Sequence, residues 1–179
     1  YNTLVVLPTG LGKTALALLL VAHRLQQYPE SKCLILAPTK PLADQHTQTL
    51  QKHLPSLKEK IITFTGEISP EKRTLLWKDA QVIISTPQGL ENDIISNRLD
   101  LSTVSALVVD EAHRATGEYS YVWVTKQYQE RSRYPRVLAL TASPGSEMEH
   151  IQEIVTNLGI EKIEVRTEND PDVEPYVQE

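Results

Sequence analysis

Leu4-Val5-Val6-Leu7-Pro8-Thr9-Gly10-Leu11-Gly12-Lys13-Thr14 is the stretch that decides the fold of this chain. Its first four residues form an apolar run with the length of a buried strand, and an apolar segment of helical length, residues 15–22, follows its end. Two glycines lie between these runs, where a short connecting loop is expected. The stretch therefore predicts a strand, a glycine-bearing loop and a helix in immediate succession.

The predicted loop has the chemistry of an anion site. The first N–H groups of a helix have no backbone partner, and the helix dipole adds positive potential there. Gly10 and Gly12 let the backbone approach an anion closely, while Lys13 adds a charge and Thr14 offers a hydroxyl for Mg²⁺. The pattern G-x-x-x-x-G-K-[ST] is met except that Leu7 replaces the first glycine. We predict a nucleoside phosphate site; a glycine-rich turn with a solvated lysine is the alternative. Its residues are Pro8, Thr9, Gly10, Leu11, Gly12, Lys13 and Thr14.

Composition predicts one soluble domain. The chain has 179 residues, 40% of them hydrophobic, which is enough for one sizeable core. No apolar run is long enough to span a bilayer, and no secretory leader is visible, so we expect a cytoplasmic or nucleoid-associated protein with no membrane partner. The single cysteine, Cys33, excludes an internal disulfide and lies in an apolar run, which indicates a core position.

Charge is divided unevenly along the chain. The net charge is −5, but residues 1–79 hold 10 basic against 6 acidic residues, whereas residues 80–179 hold 8 against 17. A polyanionic partner is therefore expected to contact the first half and its local backbone donors.

After the first loop, short apolar runs alternate with segments of helical length. We predict further strands over 33–37, 61–64, 81–84, 104–109, 137–140 and 162–165, and helices over 13–28, 41–53, 70–79, 87–95, 119–130 and 147–158. Ser69-Pro70 and Thr86-Pro87 each have the pattern of an N-cap followed by proline. This alternation predicts an α/β domain with a mostly parallel sheet and helices on both faces. We expect the domain to span 1–166 and a linker to span 167–179.

Unusual polar residues follow the predicted strands at their carboxyl ends, where parallel sheets bind ligands. Asp110 and Glu111 follow strand 104–109, so Asp110 is placed to face Mg²⁺ and Glu111 to face the water that attacks a phosphate. An acidic cap on the following helix is the alternative. His113 and the turn with Thr141 and Ser143 follow neighbouring strands, and a bond between them would report the presence of the terminal phosphate.

Three further strand ends carry loops rich in hydroxyl groups and backbone donors. Such loops can hold a sugar-phosphate strand without reading its bases. Plain surface turns are the alternative. The residues predicted to contact nucleic acid are Pro38, Thr39, Lys40, Thr65, Gly66, Thr86 and Pro87.

Six motifs occur in one order along the chain. They are residues 7–14, Ala37-Pro38-Thr39-Lys40-Pro41-Leu42, Thr65-Gly66-Glu67, Ser85-Thr86-Pro87-Gln88, Asp110-Glu111-Ala112-His113 and Thr141-Ala142-Ser143-Pro144-Gly145. Together they resemble the first RecA-like domain, a P-loop NTPase fold, of superfamily 2 DEAH/DExH helicases. Segments 38–42, 66–73, 110–117 and 166–172 are similar to the archaeal Hef and Fanconi-anaemia M-type branch, so the resemblance covers essentially the whole chain.

The resemblance implies the N-terminal ATP-binding lobe of an ATP-driven helicase or translocase that acts on branched or forked DNA, with a role in DNA repair. It implies ATP and Mg²⁺ as cofactors, with Lys13 and Thr14 on the phosphates and Mg²⁺, Asp110 on Mg²⁺ through water, and Glu111 activating the attacking water. It also implies that His113, Thr141 and Ser143 couple hydrolysis to movement. The catalytic set so implied is Lys13, Asp110, Glu111 and His113.

The resemblance further implies a second RecA-like lobe in the same full-length chain, which supplies an arginine finger. Such a finger is worth about 10³ to 10⁵ in rate in related enzymes, so the isolated lobe is expected to be a weak or inactive ATPase. Three alternatives remain open: an RNA-directed lobe like those of Dicer or the RNA sensors, a restriction-type motor lobe, and a non-catalytic module that binds nucleotide or nucleic acid.

Overall fold

A single parallel sheet forms the centre of the protein in the computed structural model, which describes residues 1–8, 10–117, 119–142 and 148–165. Within those residues the sheet has seven strands, which are β1 (Thr3–Val6), β2 (Lys32–Leu36), β3 (Ile61–Phe64), β4 (Val82–Ser85), β5 (Val104–Val109), β6 (Val137–Thr141) and β7 (Lys162–Val165). They pair in the order β3-β4-β2-β5-β6-β1-β7, and every pair is parallel.

Helices connect these strands. They are α1 (Gly10–Gln27), α2 (Lys40–His53), α3 (Pro70–Asp79), α4 (Pro87–Ile95), α5 (Tyr119–Arg131) and α6 (Met148–Leu158). Short 3₁₀ turns, which the sequence did not predict, occupy Pro55–Lys60, Leu101–Thr103 and Ala112–Thr116. In the described part of the chain, no helix combines the length and the apolar character needed to cross a bilayer.

The central strand β5 shows why the chain folds as a three-layer α/β domain. All six of its residues are buried, and from Ala106 to Val109 they alternate between two cores because successive side chains in a strand point to opposite faces. Ala106 and Val108 pack with residues of α1 and α2, whereas Leu107 and Val109 pack with residues of α3 to α6. The prediction of a parallel sheet with helices on both faces is therefore confirmed, and Cys33 lies in the core as predicted.

Side chains cap the start of two helices, of which the cap at Ser69 was predicted and the cap at Thr39 was not. The Thr39 side chain accepts from the backbone N–H of Leu42 at 3.4 Å to cap α2, and Ser69 caps α3 in the same way. The predicted cap by the Thr86 side chain is wrong, because that side chain makes no capping bond. Only the Thr86 carbonyl takes part, accepting from Leu90 N at 3.3 Å.

Several helices and strands begin or end a few residues away from their predicted positions. The helix predicted over 13–28 begins at Gly10, three residues earlier, because neither glycine prevents a helical backbone. This shift places the Gly12, Lys13 and Thr14 positions inside the first turn and a half of α1. The predicted linker, 167–179, lies outside the described residues.

Candidate nucleotide site

The described residues predicted to bind a nucleoside phosphate, to hydrolyse it or to couple its hydrolysis to movement lie at the carboxyl ends of three adjacent strands, β1, β5 and β6. The backbone beyond β1 stays tied to β6, because Leu7 N donates to the Thr141 carbonyl at 3.0 Å. Helix α1 starts at Gly10, so the N–H groups of its first turn lie beside this edge of the sheet, and that turn holds no acidic residue. Among the predicted phosphate residues, Thr9 lies outside the described residues.

Asp110 is the most constrained carboxylate of this edge. Its backbone N–H donates to the Leu36 carbonyl at 2.9 Å, and its carbonyl accepts from the Tyr121 hydroxyl at 3.1 Å. Its Oδ1 atom accepts from Glu111 N at 2.9 Å and lies 3.8 Å from the Lys13 ammonium. The structure thus brings together Lys13 and Asp110, which are 97 residues apart in the sequence.

The second oxygen of Asp110 contacts a residue that the sequence interpretation missed. Asp110 Oδ2 lies 2.8 Å from His46 Nε2, and both side chains are buried. A signal was present, because His46 falls between Ala43 and Leu50 on the buried stripe of α2, where a polar residue is unusual. Burial opposes ionisation of Asp110, but the bond to His46 and the charges of His46 and Lys13 outweigh it, so the pKa of Asp110 lies below its usual value.

Glu111 has an uncommon backbone conformation. Its φ of 51° and ψ of 50° lie in the left-handed region, which is rare for residues other than glycine and recurs at functional sites. The Glu111 carboxylate accepts from Arg114 Nε at 3.0 Å. The sequence interpretation placed Glu111 toward the water that attacks a phosphate but did not foresee that Arg114 binds its carboxylate.

His113 and Thr141 meet as the sequence suggested. His113 Nδ1 lies 3.1 Å from Thr141 Oγ1, which joins the turn after β5 to the end of β6. Ser143, the third member of the predicted coupling set, lies outside the described residues.

The residues predicted to contact nucleic acid lie at the ends of β2, β3 and β4, on the other half of the same edge. Lys40 pairs with Glu67 at 2.8 Å across two of these loops, and both side chains are exposed. Gly66 faces open space, so the backbone there is accessible to a large ligand.

A small cavity of about 20 Å³, partly open to solvent, lies between the two halves of the edge. Pro38, Pro87 and Gln88 line it from the side of the predicted strand loops, and Arg114 and Tyr121 line it from the side of Asp110 and Glu111.

A buried ion pair supports the loop that contains Gly66. Arg73 binds Asp93 through two bonds of 2.8 Å, from Nε and Nη2, and donates to the Ile68 carbonyl at 2.6 Å. Arg98 adds a bond of 3.1 Å to the same carboxylate. The loop after β3 is thereby fixed to α3 and α4, a role that sequence interpretation did not assign to these charges.

Comparison with known proteins agrees with this geometry. The sequence profile of the DEAD/DEAH box helicases matches residues 1–151. The chain belongs to the DEAD/DEAH box helicase family. The resemblance predicted from the six ordered motifs is confirmed.

Among DEAD/DEAH box helicases, the chain is close to the Hef and FANCM/Mph1 proteins. The crystal structure of the Pyrococcus furiosus Hef helicase domain superposes with a TM-score of 0.91 at 52% identity, covering 98% of this chain and 37% of that one. A putative ATP-dependent RNA helicase of Methanocaldococcus jannaschii is 47% identical over 176 residues. The ATP-dependent DNA helicase mph1 of Neurospora crassa is 42% identical over 176 residues.

These helicases are much longer than the matched region. The match covers 98% of this chain in both cases, but only 22% of the Methanocaldococcus relative and 15% of the Neurospora relative.

Proposed function

We propose that this chain is the N-terminal ATP-binding lobe of an ATP-dependent DNA helicase or translocase that acts on branched or forked DNA during DNA repair. The observation that carries the proposal is the placement of Asp110 beside Lys13, next to Glu111, at the start of α1. Phosphoryl transfer to water needs charge neutralisation at the phosphates and a group that orients the water, and these residues provide both.

The site fits ATP with Mg²⁺. A helix N-terminus without acidic residues and the Lys13 ammonium suit a polyphosphate. The Thr14 hydroxyl and the Asp110 carboxylate are hard oxygen ligands, and Mg²⁺ is usually held by one or two such groups together with substrate phosphates. Bound Mg²⁺ would neutralise charge on the β- and γ-phosphate oxygens.

Each residue of the site then has a task. The N–H groups at the start of α1, with Lys13, would bind the phosphates, and Asp110 and Thr14 would hold the cation. Glu111 orients the attacking water and accepts its proton at Oε1, since Arg114 binds the other carboxylate oxygen, Oε2. His113 and Thr141, which are in contact, transmit the state of the site along the edge of β6. Ser143 is assigned to the same coupling set.

The loops after β2, β3 and β4 are assigned to the phosphates of a nucleic acid strand. Backbone donors and hydroxyl groups there hold the strand without reading its sequence, as expected of a motor that moves along it. DNA is favoured because the relatives from Drosophila, Neurospora and three other fungi are named DNA helicases. RNA is the second candidate, since the Methanocaldococcus and Arabidopsis relatives are named RNA helicases.

A second RecA-like lobe of the same polypeptide completes the ATP site in this proposal. The matched relatives have ample further length for it. The working enzyme, here called the two-lobe protein, is this chain together with that lobe. Alone, the present lobe is expected to hydrolyse ATP weakly or not at all, because the arginine finger lies on the other lobe.

Nucleotide binding by the two-lobe protein tests the site. We expect Lys13→Ala to abolish detectable binding of Mg²⁺ with a slowly hydrolysed ATP analogue in calorimetry, while circular dichroism stays unchanged. Lys58→Ala, which removes an exposed lysine far from the site in sequence, is the matched control and should bind as the wild type does. Equal binding by both variants would contradict the proposal.

Competition among nucleic acids tests the substrate. Forked DNA, linear duplex DNA and double-stranded RNA of equal length compete for the two-lobe protein at one fixed salt concentration. We expect forked DNA to displace the others. Preferential retention of RNA would favour the second candidate.

A further inference from the structure

We propose that His46 is a positioning residue for Asp110, and that it links the loop assigned to the nucleic acid strand with the carboxylate assigned to Mg²⁺. The inference rests on the proposed function and deepens it. It starts from the contact of 2.8 Å between His46 Nε2 and Asp110 Oδ2, which none of the six sequence motifs predicts.

The contact fixes the orientation of the carboxylate. A carboxylate only accepts hydrogen bonds, so His46 must present an N–H at Nε2. Asp110 Oδ1 already accepts from Glu111 N and faces Lys13, and His46 binds the remaining oxygen. Both oxygens are therefore held, and some lone pairs stay available for a water on the cation. His46 thus acts on the cation through Asp110.

The position of His46 on α2 gives the contact a second consequence. Helix α2 begins at Lys40, directly after its cap Thr39, and both residues belong to the loop assigned to the nucleic acid strand. His46 lies six residues further along, about 9 Å at 1.5 Å per residue. A displacement of the start of α2 by a bound strand therefore reaches Asp110 through one rigid helix.

The next residue of α2 connects it to the other strand loop. The Thr47 hydroxyl bonds with the Thr63 hydroxyl of β3, and β3 leads directly into Thr65 and Gly66. Two loops assigned to the nucleic acid are thus both attached to α2, and α2 is attached to Asp110 by His46. This arrangement gives a physical route by which strand binding changes the cation site.

The first test measures the Mg²⁺ concentration that gives half-maximal binding of the fluorescent nucleotide mant-ADP to the two-lobe protein. Removing the partner that orients a metal-binding group typically lowers metal affinity by about 10-fold to 100-fold. We expect His46→Leu to raise the half-maximal Mg²⁺ concentration by about that factor. His46→Gln, whose amide N–H can reach the same oxygen, should restore it to within a few-fold of wild type.

Controls separate positioning from a merely structural role. His53→Leu alters an exposed histidine at the end of the same helix and should leave the Mg²⁺ requirement unchanged. His46→Asn has a side chain one bond shorter than that of Gln, so its amide cannot reach the oxygen and its Mg²⁺ requirement should resemble that of His46→Leu. The asparagine variant serves in place of the leucine variant if the latter does not fold. A normal Mg²⁺ requirement in the leucine or asparagine variant would overturn the inference, as would equal impairment in the glutamine variant.

The second test addresses the link to the strand loops. We expect forked DNA to stimulate ATP hydrolysis less in His46→Leu than in wild type, measured as the ratio of rates with and without DNA at saturating Mg²⁺. An unchanged ratio would overturn the link. If the wild-type protein itself shows no Mg²⁺-dependent nucleotide binding, the proposed function fails, and this result is distinct from any difference among the His46 variants.

Discussion

The buried carboxylate of Asp93 offers a strong test of how the charged network supports the predicted strand loops. Asp93 is 1% exposed and accepts three hydrogen bonds, two from Arg73 and one from Arg98. Replacing Asp93 by Asn removes the negative charge and leaves the Arg73 guanidinium buried without a counter-ion. Asp93→Asn is therefore expected to destabilise the fold far more than a surface substitution does.

The size of the effect follows from burial. Removing one partner of a buried ion pair typically costs about 3–5 kcal/mol, which for a chain of this size lowers the melting temperature by about 6–20 °C. Arg98 is 31% exposed, so its charge can be solvated, and Arg98→Met should cost only about 1 kcal/mol. Arg73→Met should cost about 3 kcal/mol, because Asp93 keeps Arg98 while the Ile68 carbonyl loses its donor.

Urea unfolding of the chain, followed by circular dichroism and tryptophan fluorescence, measures these differences. The dependence of the unfolding free energy on urea should stay constant among the variants. The double replacement Arg73→Met with Asp93→Leu should cost less than the sum of Arg73→Met and Asp93→Leu alone, since both buried charges are removed together and the partly exposed Arg98 can be solvated. A cost below about 1 kcal/mol for Asp93→Asn, or equal costs for Asp93→Asn and Arg98→Met, would refute the reasoning.

Three further predictions follow from the described contacts. Burial raises the pKa of Cys33 to about 12, so iodoacetamide at pH 8 should label the urea-unfolded chain but not the native one. The thiol ionises at lower pH in the unfolded chain, so above about pH 9 the folded state holds more protons and the free energy of unfolding falls as the pH rises. Cys33→Ala should reduce this fall, and an unfolding free energy that falls as steeply with pH as that of the wild type would contradict the prediction. The pKa of Asp110 lies below its usual value, so its contribution to stability is complete above about pH 4 and is lost in acid; Asp110→Asn should flatten that acid limb in denaturant titrations. Thr39→Ala and Ser69→Ala should each cost about 1 kcal/mol through lost caps, whereas Thr86→Ala should cost clearly less; equal costs in urea melts would mean that Thr86 does cap.

The sequence was most informative where one segment determines both structure and chemistry. The apolar run before Gly10 and the helical segment after it lie next to each other in the chain, so the junction of β1 and α1 is visible as a local pattern. The contact between His113 and Thr141 could also be predicted, because both lie at the carboxyl ends of strands that a parallel sheet places side by side.

Contacts made by helix faces could not be predicted from the sequence in the same way. His46 and Asp110 are 64 residues apart, and only the packing of α2 against the sheet brings them together. In the sequence, Arg73 and Asp93 cannot be distinguished from ordinary surface charges, because only the packing of α3 and α4 buries them. The left-handed backbone of Glu111 depends on the turn that follows β5 and carries no signal in residue type.

ATP hydrolysis by the two-lobe protein, measured with and without forked DNA, tests the central claim most directly. We expect forked DNA to stimulate hydrolysis by the wild-type protein and by Glu153→Gln, an exposed control on α6, while Glu111→Gln hydrolyses no ATP under either condition. Hydrolysis that is insensitive to every nucleic acid, or that persists in Glu111→Gln, would contradict the assignment of this chain as the ATP-binding lobe of a DNA motor.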